Sequence, residues 1–490
     1  MKKILTGLLL VSMILTLLIS CADDNASSGE QVTTTAADNT NNDVIEETTA
    51  PSYTYADADF GGEDFVILNA ENIWDFIMVI DFEEMSGDSL EDAIYTRNRS
   101  VEERYNFNMV EMNRPIDELA TVAQTSILAG DDSFQAAFVG AHKISSLVGS
   151  NYLYNLYDIP ELKLNEYWFD KSVIDEGRIG NGDLIYFAAT DLHLSAMDGT
   201  WCMMFNEDMA ADLNMDKPYD LVRQGKWTID RLQEYAKAGM NLNGDESFAW
   251  NEGGSSIYGY TSFDAASAAL IFASGERFIK RDTQGNPYFA LETERFFSVA
   301  ERIAQLNATA GEYYSANEAE PSNHRFDRIF MNGRAFFIGC EIKMAPMFRN
   351  VDFTFGLVPF PKYSEDQESY SSMMFYQLLL LTVPVTNPDP ERAGIIIDTL
   401  SYEAKQQVMP IYYDVYISQK GLRNEDSIEM LDLINQSRVF NVGNAYGWTL
   451  TLYDSIRPAL DKGNSDMAAL IAAQKSAIDA NIEKTMSNIG

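Results

Sequence analysis

Short, wholly apolar runs alternate with helix-patterned stretches early in the chain, and this alternation limits the possible folds more than any other feature. Phe65-Val66-Ile67-Leu68 follows Gly61-Gly62 and reads as a buried strand. Ser89 and Asp92 have capping-box spacing and open a helix through DAIYTRNRSVEERYN, with Ile94, Val101 and Tyr105 on one face. Phe107 to Glu111 reads as a second strand. After Arg114-Pro115 a second helix carries Ile116, Leu119, Val122 and Ile127 on its apolar side and stops at Gly130. FQAAFVG, ending at Gly140, reads as a third strand. Strands that are apolar throughout and alternate with helices predict a parallel sheet covered on both faces.

The rest of the chain sets the number of lobes. LIYFAAT, residues 184–190, reads as another apolar strand. Helices then dominate: NEDMAADL, WTIDRLQEYAKAG and FDAASAALIFASG. Strands return at 335–338, 353–358 and 377–383, and the tail is helical from SIEMLDLINQSR to the end. Strands that return so late must join an existing sheet. The expectation is therefore an α/β protein of two lobes, with the chain crossing between them more than once. Lobe 1 takes residues 56–190 and 376–412; lobe 2 takes 191–375 and the helical tail 413–490. Open α/β sheets bind ligands beyond the carboxyl ends of their strands, so two facing lobes enclose a cleft between two such edges.

Composition excludes some partners. A formal net charge of −39 over 490 residues repels nucleic-acid backbones and anionic lipid alike. With 46% hydrophobic and 12% aromatic residues the chain has material for a large core. Of the three cysteines, Cys202 and Cys340 have no metal-ligand spacing; they could pair, but the expectation is two separately buried free thiols. The third, Cys21, closes an apolar run. Lys2 and Lys3 precede Ile4–Ile19, which reads as a secretory signal, residues 1–20, too short for a comfortable membrane span. Residues 22–52 carry no Lys, Arg or aromatic side chain. Such a segment cannot bury enough surface to fold and reads as a flexible acidic linker, 21–55, with a reach of about 30 Å.

Two resemblances follow. Leu18-Ile19-Ser20-Cys21 resembles the bacterial lipobox, which implies that Cys21 is lipidated and tethers the protein to the outer face of the cytoplasmic membrane. In the body, LEDAIYTRNRSVEERYNFNM, MMFNEDMAADL, GKWTIDRLQEYA, FMNGRAFFIG, FGLVPFPKYSEDQESY and IYYDVYISQKGLRNEDSIEMLDLI together resemble the bacterial extracellular solute-binding proteins of family 1, the sugar-type lipoprotein receptors of ABC importers. The resemblance implies a two-lobed periplasmic-binding-protein-like fold of type II and no catalysis. It implies a monomer without cofactor or metal that captures an oligosaccharide by hinge closure and delivers it to a membrane permease.

Sugars offer apolar C–H faces and rings of hydroxyls, so aromatic, carboxylate and amide side chains at strand ends are the candidates for contact. Asn69, Glu71 and Trp74 follow the first strand, and His142 follows the third. Asp191, with His193 beside it, lies near the expected hinge. Trp250, Phe263 and Asp264 precede a helix of the second lobe, and Glu341 follows the FFIG strand. Maltose-type relatives carry an aromatic near that last position, which argues against a maltodextrin-like ligand. Met373, Tyr412, Tyr413 and Trp448 complete the set. Residues 241–252 have the oxygen spacing of a calcium loop. Asn241 stands where the first Asp is usual, and Glu246 replaces the turn glycine, so the segment reads as a surface turn. There is no HExxH, GxSxG or P-loop motif. The alternatives left open are a receptor for another solute, such as a peptide, and a surface carbohydrate-acting enzyme or adhesin.

Overall fold

The chain divides into two compact units, residues 1–52 and 53–490. The computed structural model describes residues 53–489, with 181, 318, 420, 421 and 423 excepted. The signal segment, Cys21 and the linker to Ser52 lie outside the described residues. Packing already begins at Tyr53, not at residue 56. The Tyr53 ring stacks on Tyr402 at 4.1 Å and its hydroxyl donates to Asp398 at 2.8 Å, while Arg104 lies 3.6 Å from the Tyr55 ring centre. No helix among the described residues is long and apolar enough to cross a membrane.

The early alternation forms as β1 (Glu63–Ala70), α1 (Ser89–Tyr105), β2 (Phe107–Arg114), α2 (Leu119–Ala129) and β3 (Ala136–Gly140). The second series is β4 (Trp201–Asn206), α3 (Ile229–Gly239), β5 (Tyr258–Ser262), α4 (Ala265–Ala273), the hairpin β6 (Ile279–Arg281) and β7 (Pro287–Phe289), and α5 (Glu294–Ala308). It continues with β8 (Tyr313–Ser315), β9 (Ala335–Glu341) and β10 (Phe355–Val358). The last series is β11 (Ser372–Met373), β12 (Leu379–Thr382), α6 (Pro390–Glu403), α7 (Glu425–Gln436), β13 (Arg438–Val439), α8 (Leu450–Asp461) and α9 (Met467–Ile489).

Two sheets organise these elements. The first has strand order β12-β3-β1-β2. In it β1 runs parallel to both β2 and β3, as apolar strands separated by helices require, and β12 joins antiparallel to β3. The second has order β10-β4-β9-β5-β8. Here β5 is parallel to β8 and β9, whereas β4 is antiparallel to β9 and β10. The chain therefore leaves the first sheet after β3, returns for β12 and leaves again, since α7 packs on β10 while α6 packs on α1. Beside these crossings β11 and β13 pair as a two-stranded parallel ribbon.

Local chemistry accounts for the details. The α1 cap is Asp88, not Ser89: its carboxylate accepts from Leu90 N at 2.9 Å, and Asp92 reaches back to Ser86 N at 2.9 Å. Gly130 ends α2 in the left-handed conformation, φ 69°. Gly259 lets α3 lie against β5, because a Cβ there would stand 2.3 Å from the Ala236 carbonyl oxygen. The expected strand at 184–190 does not form a regular ladder. Its residues make single bridges to three different segments, Leu184 to Ile179, Ala188 to Leu381 and Thr190 to Phe169. A segment that changes partner every few residues satisfies its backbone groups without becoming a strand.

Candidate functional site

The carboxyl ends of β1, β5, β8 and β9 and the segment entering β12 meet around a cavity of about 320 Å³. Parallel pairing puts the ends of β5, β8 and β9 on one edge of the second sheet, and antiparallel β12 starts at the edge where β3 ends. Trp74 and Phe76 come from the loop after β1, Phe375, Tyr376 and Gln377 from the entry to β12, and Phe263, Asn317, Glu341 and Lys343 from the ends of the second sheet. Arg457 reaches in from α8.

The walls are aromatic. Phe76 stacks on Phe375 at 5.1 Å, and Trp74 meets Phe375 edge-on at 6.3 Å. Phe263 packs against Trp201 at 5.4 Å and Phe326 at 5.0 Å. Trp74 is 41% exposed although most large apolar side chains are buried. Backbone geometry puts it there. Trp74 and Asp75 have φ of 52° and 62°, and Phe76 N closes the turn on Ile73 O at 2.9 Å. Two consecutive non-glycine residues in the left-handed region together cost about 2–6 kcal/mol and persist only where their surroundings hold them.

Here the surroundings are visible. Lys343 donates to the Trp74 carbonyl oxygen, and its ammonium lies 3.6 Å from the Phe76 ring centre. Asn72 Oδ1 accepts from Met78 N at 2.7 Å, and Asn69 Nδ2 donates to Met78 O at 2.7 Å and to Glu111 at 2.6 Å. Glu111 also accepts from Ile80 N and Asp81 N, each at 3.1 Å, so one carboxylate ties down the base of the loop. Burial pushes the Glu111 carboxyl up to about 7. Asp198 joins the two sides: it accepts from Tyr412 Oη at 2.5 Å and from the backbone of Ile77, and burial raises it to about 6.

Of the ligand candidates read from sequence, Trp74, Phe263 and Glu341 line this cavity. Two stand one layer behind it. Asp264 pairs with Arg457 at 3.1 Å. His142 contacts Gln377 at 3.3 Å and Asp117 at 3.1 Å and packs on Tyr376 at 5.9 Å, and burial holds its imidazole below the usual range. Asn69 shapes the Trp74 loop from beneath. The others lie elsewhere. Glu71 is exposed outside the cavity. Asp191 pairs with Lys405 at 3.1 Å, and Tyr413 accepts from Asn435 at 2.7 Å, both beside the buried Asp170–Arg438 pair. Met373 is buried in β11. Trp250 stacks on His324 at 4.6 Å and carries the Arg334 guanidinium at 4.7 Å. Trp448 is buried on Tyr446 at 4.8 Å, its indole donating to Thr485.

Sequence reasoning missed Phe76, Asn317, Lys343, Phe375, Tyr376, Gln377 and Arg457. Residues 375 and 376 directly precede, and Gln377 opens, the run 377–383 already read as a strand, so their place at a strand end was available as a signal. Arg457 carried none, because it lies within a helix. In the 241–252 loop, Asp245 Oδ2 accepts from Ser255 N and Ser256 N at 2.8 and 2.7 Å, which closes the turn. Among the described residues no cluster of three His, Cys, Asp or Glu converges on a common point.

No family model matches the chain, and no curated protein matches it in sequence. Solved structures do. A cyclic α-maltosyl-1,6-maltose binding protein from Arthrobacter globiformis aligns with TM-score 0.57 and 13% identity over 86% of this chain and all of that one. An ABC substrate-binding protein from Listeria monocytogenes in complex with cycloalternan aligns with TM-score 0.55 and 14% identity over 87% and 99% of the two chains. A sugar transporter protein from Rhizobium etli in an open conformation gives 0.55 and 14% over 87% and 98%. The fold is that of the periplasmic binding proteins. In this two-lobed fold the cavity between the sheet edges occupies the interlobe cleft.

Proposed function

We propose that the protein is the extracytoplasmic receptor of an ABC importer, and that it captures a small oligosaccharide in the cleft and presents it to a membrane permease. The observation that carries this reading is the cleft lining. Four aromatic side chains from the first-sheet side face Phe263 from the other, with Asn317, Gln377, Glu341, Lys343 and Arg457 between them. Flat apolar faces with interleaved amides and charges suit the C–H faces and hydroxyls of a sugar. Of the structural neighbours, one is named a cyclic α-maltosyl-1,6-maltose binding protein, one is in complex with cycloalternan and one is called a sugar transporter, which supports the same class. We read the protein as a binder and not an enzyme, in keeping with a fold shared with solute-binding proteins.

In this reading the lobes divide as 56–190 with 376–412 against 191–375 with 413–490. Ligand contacts made to both lobes at once favour the closed state. Cys21 carries lipid in the manner of family-1 sugar receptors, and the monomer works at the outer face of the cytoplasmic membrane, where tethering raises its concentration near the permease. The test is a thermal-shift screen of the protein against mono- and oligosaccharides, peptides and polyamines. A ligand that binds only the folded state stabilises it by about 2.7 kcal/mol at a hundredfold excess over Kd. A shift with one sugar class, abolished by Phe263→Ala, is the expected result. Shifts with peptides alone overturn the carbohydrate reading, and turnover of a glycan overturns the receptor reading.

A further inference from the structure

Cys202 in β4 and Cys340 in β9 are not separately buried: they stand directly opposite each other across an antiparallel ladder. Ile342 N donates to Thr200 O at 2.9 Å two residues further along the same ladder. Hydrogen-bonded pairs alternate with non-hydrogen-bonded ones, so the cysteines occupy a hydrogen-bonded pair, whose Cα atoms lie about 5.5 Å apart. Disulfides span Cα separations of about 4.4–6.8 Å. Opposed residues put their side chains on the same face of a sheet, and the Cys202 thiol contacts that of Cys340. Both are free and wholly buried. Burial also pushes the Cys340 thiol well up, so folded Cys340 carries little thiolate.

We propose that Cys202 and Cys340 form a disulfide when the chain folds in the presence of a disulfide oxidant such as glutathione disulfide. One thiolate attacks the oxidant and expels one thiol. The second cysteine then attacks the mixed disulfide and expels another, so two hydrogens and two electrons pass from the protein to the oxidant. The exchange occurs before the sheet closes, since afterwards both sulfurs are wholly buried and out of the oxidant's reach. Cβ atoms of a hydrogen-bonded pair lie somewhat further apart than the about 3.8 Å mean of a bridge, so the bond draws β4 and β9 together at this point. The adjoining register pair is Trp201 and Glu341. Trp201 backs Phe263, and Glu341 lines the cleft, so the bond lies one residue from the ligand site.

The test uses the whole chain carrying Cys21→Ser, which leaves only this pair. It is unfolded under reducing conditions and refolded either in a phosphine reductant or in a mixture of reduced and oxidised glutathione. Both samples are then denatured, alkylated and weighed intact. The expected result is two labels on the reductant-folded chain, none on the glutathione-folded chain, and a mass lower by two hydrogens before labelling. Two labels on a glutathione-folded chain with native circular dichroism overturn the proposal, as does a glutathione adduct retained on either cysteine. A chain that refolds in reductant but not in the glutathione mixture also overturns it.

Discussion

Glu111 should make this protein more stable as the pH falls through the neutral range, the reverse of what an ion-paired carboxylate does. Its carboxylate is buried beneath the Trp74 loop, accepts bonds from Asn69, Ile80 and Asp81, and is raised from 4.5 to about 7 by burial, which outweighs those bonds. The charged groups facing it are Asp81, which raises it further, and Arg97. In the unfolded chain it titrates near 4.5, so between 4.5 and 7 the folded state holds a proton that the unfolded state has lost. Stability from this group is full below pH 4.5 and is lost as the pH rises through 7. Integrated from pH 5 to 8, the loss is about 2.5 kcal/mol. Glu111→Gln keeps the shape and cannot ionise. Its own cost, from an amide facing the Asn69 amide, does not depend on pH. Guanidinium unfolding of both proteins at pH 5 and pH 8 separates the two effects. The stability of the variant relative to wild type should improve by about 2–3 kcal/mol from pH 5 to pH 8. An unchanged gap, or one that moves the other way, refutes the assignment and with it the view that a largely neutral Glu111 holds the loop at pH 6.

Trp74→Ala should weaken sugar binding about tenfold or more with little effect on melting, since the side chain is exposed and faces the cleft, as titration calorimetry would measure. Trp448→Ala should do the opposite, costing about 3–5 kcal/mol in chemical unfolding while leaving a folded fraction that binds normally. Asp170→Asn strands the Arg438 guanidinium, which lies 2.6 Å from that carboxylate, and should cost about 3–5 kcal/mol, read by the same unfolding assay. Lys343→Met removes the donor to the Trp74 carbonyl, and small-angle scattering of the ligand-free protein should show a larger radius of gyration.

The fold was largely legible because it rests on local periodicity. The runs at 65–68 and 136–140 are apolar on both faces, 107–111 mixes apolar and polar residues as suits the edge strand β2, and the intervening stretches keep helical spacing, so that β1 lies parallel to β2 and β3. The late strands could only be placed by the argument that they need a sheet to join, and β9, β10 and β12 do join one. Reading failed at 184–190, where composition says strand but three successive bridges lead to three different segments. No pattern within seven residues encodes where its partners lie. The cap at Asp88 failed for a smaller reason: Asp88 and Ser89 can both cap a helix, and spacing alone does not choose between them.

The site was legible only in outline, and the misses have one physical cause. Aromatics at strand ends are visible in sequence, but whether a ring faces the cleft or the core depends on what already occupies its faces. Trp250 is taken by His324 and Arg334, and Trp448 by Tyr446. Trp74 keeps a free edge because two left-handed residues turn it outward. That turn is held from the opposite side of the cleft by Lys343 at the Trp74 carbonyl, while Asp198 takes the Ile77 amide three residues further on. Lys343 follows β9, and Asp198, itself held by Tyr412 from beyond α6, follows the crossing from the first sheet, so two distant segments meet at one short loop. The aromatic wall on the first-sheet side is thus positioned by groups from the second. In the proposed receptor, opening of the lobes would release the Lys343 bond and free the strained turn, and closing would rebuild it. On that proposal, ligand contacts to Trp74 would gain their full strength only with the lobes together, the differential affinity that hinge closure requires.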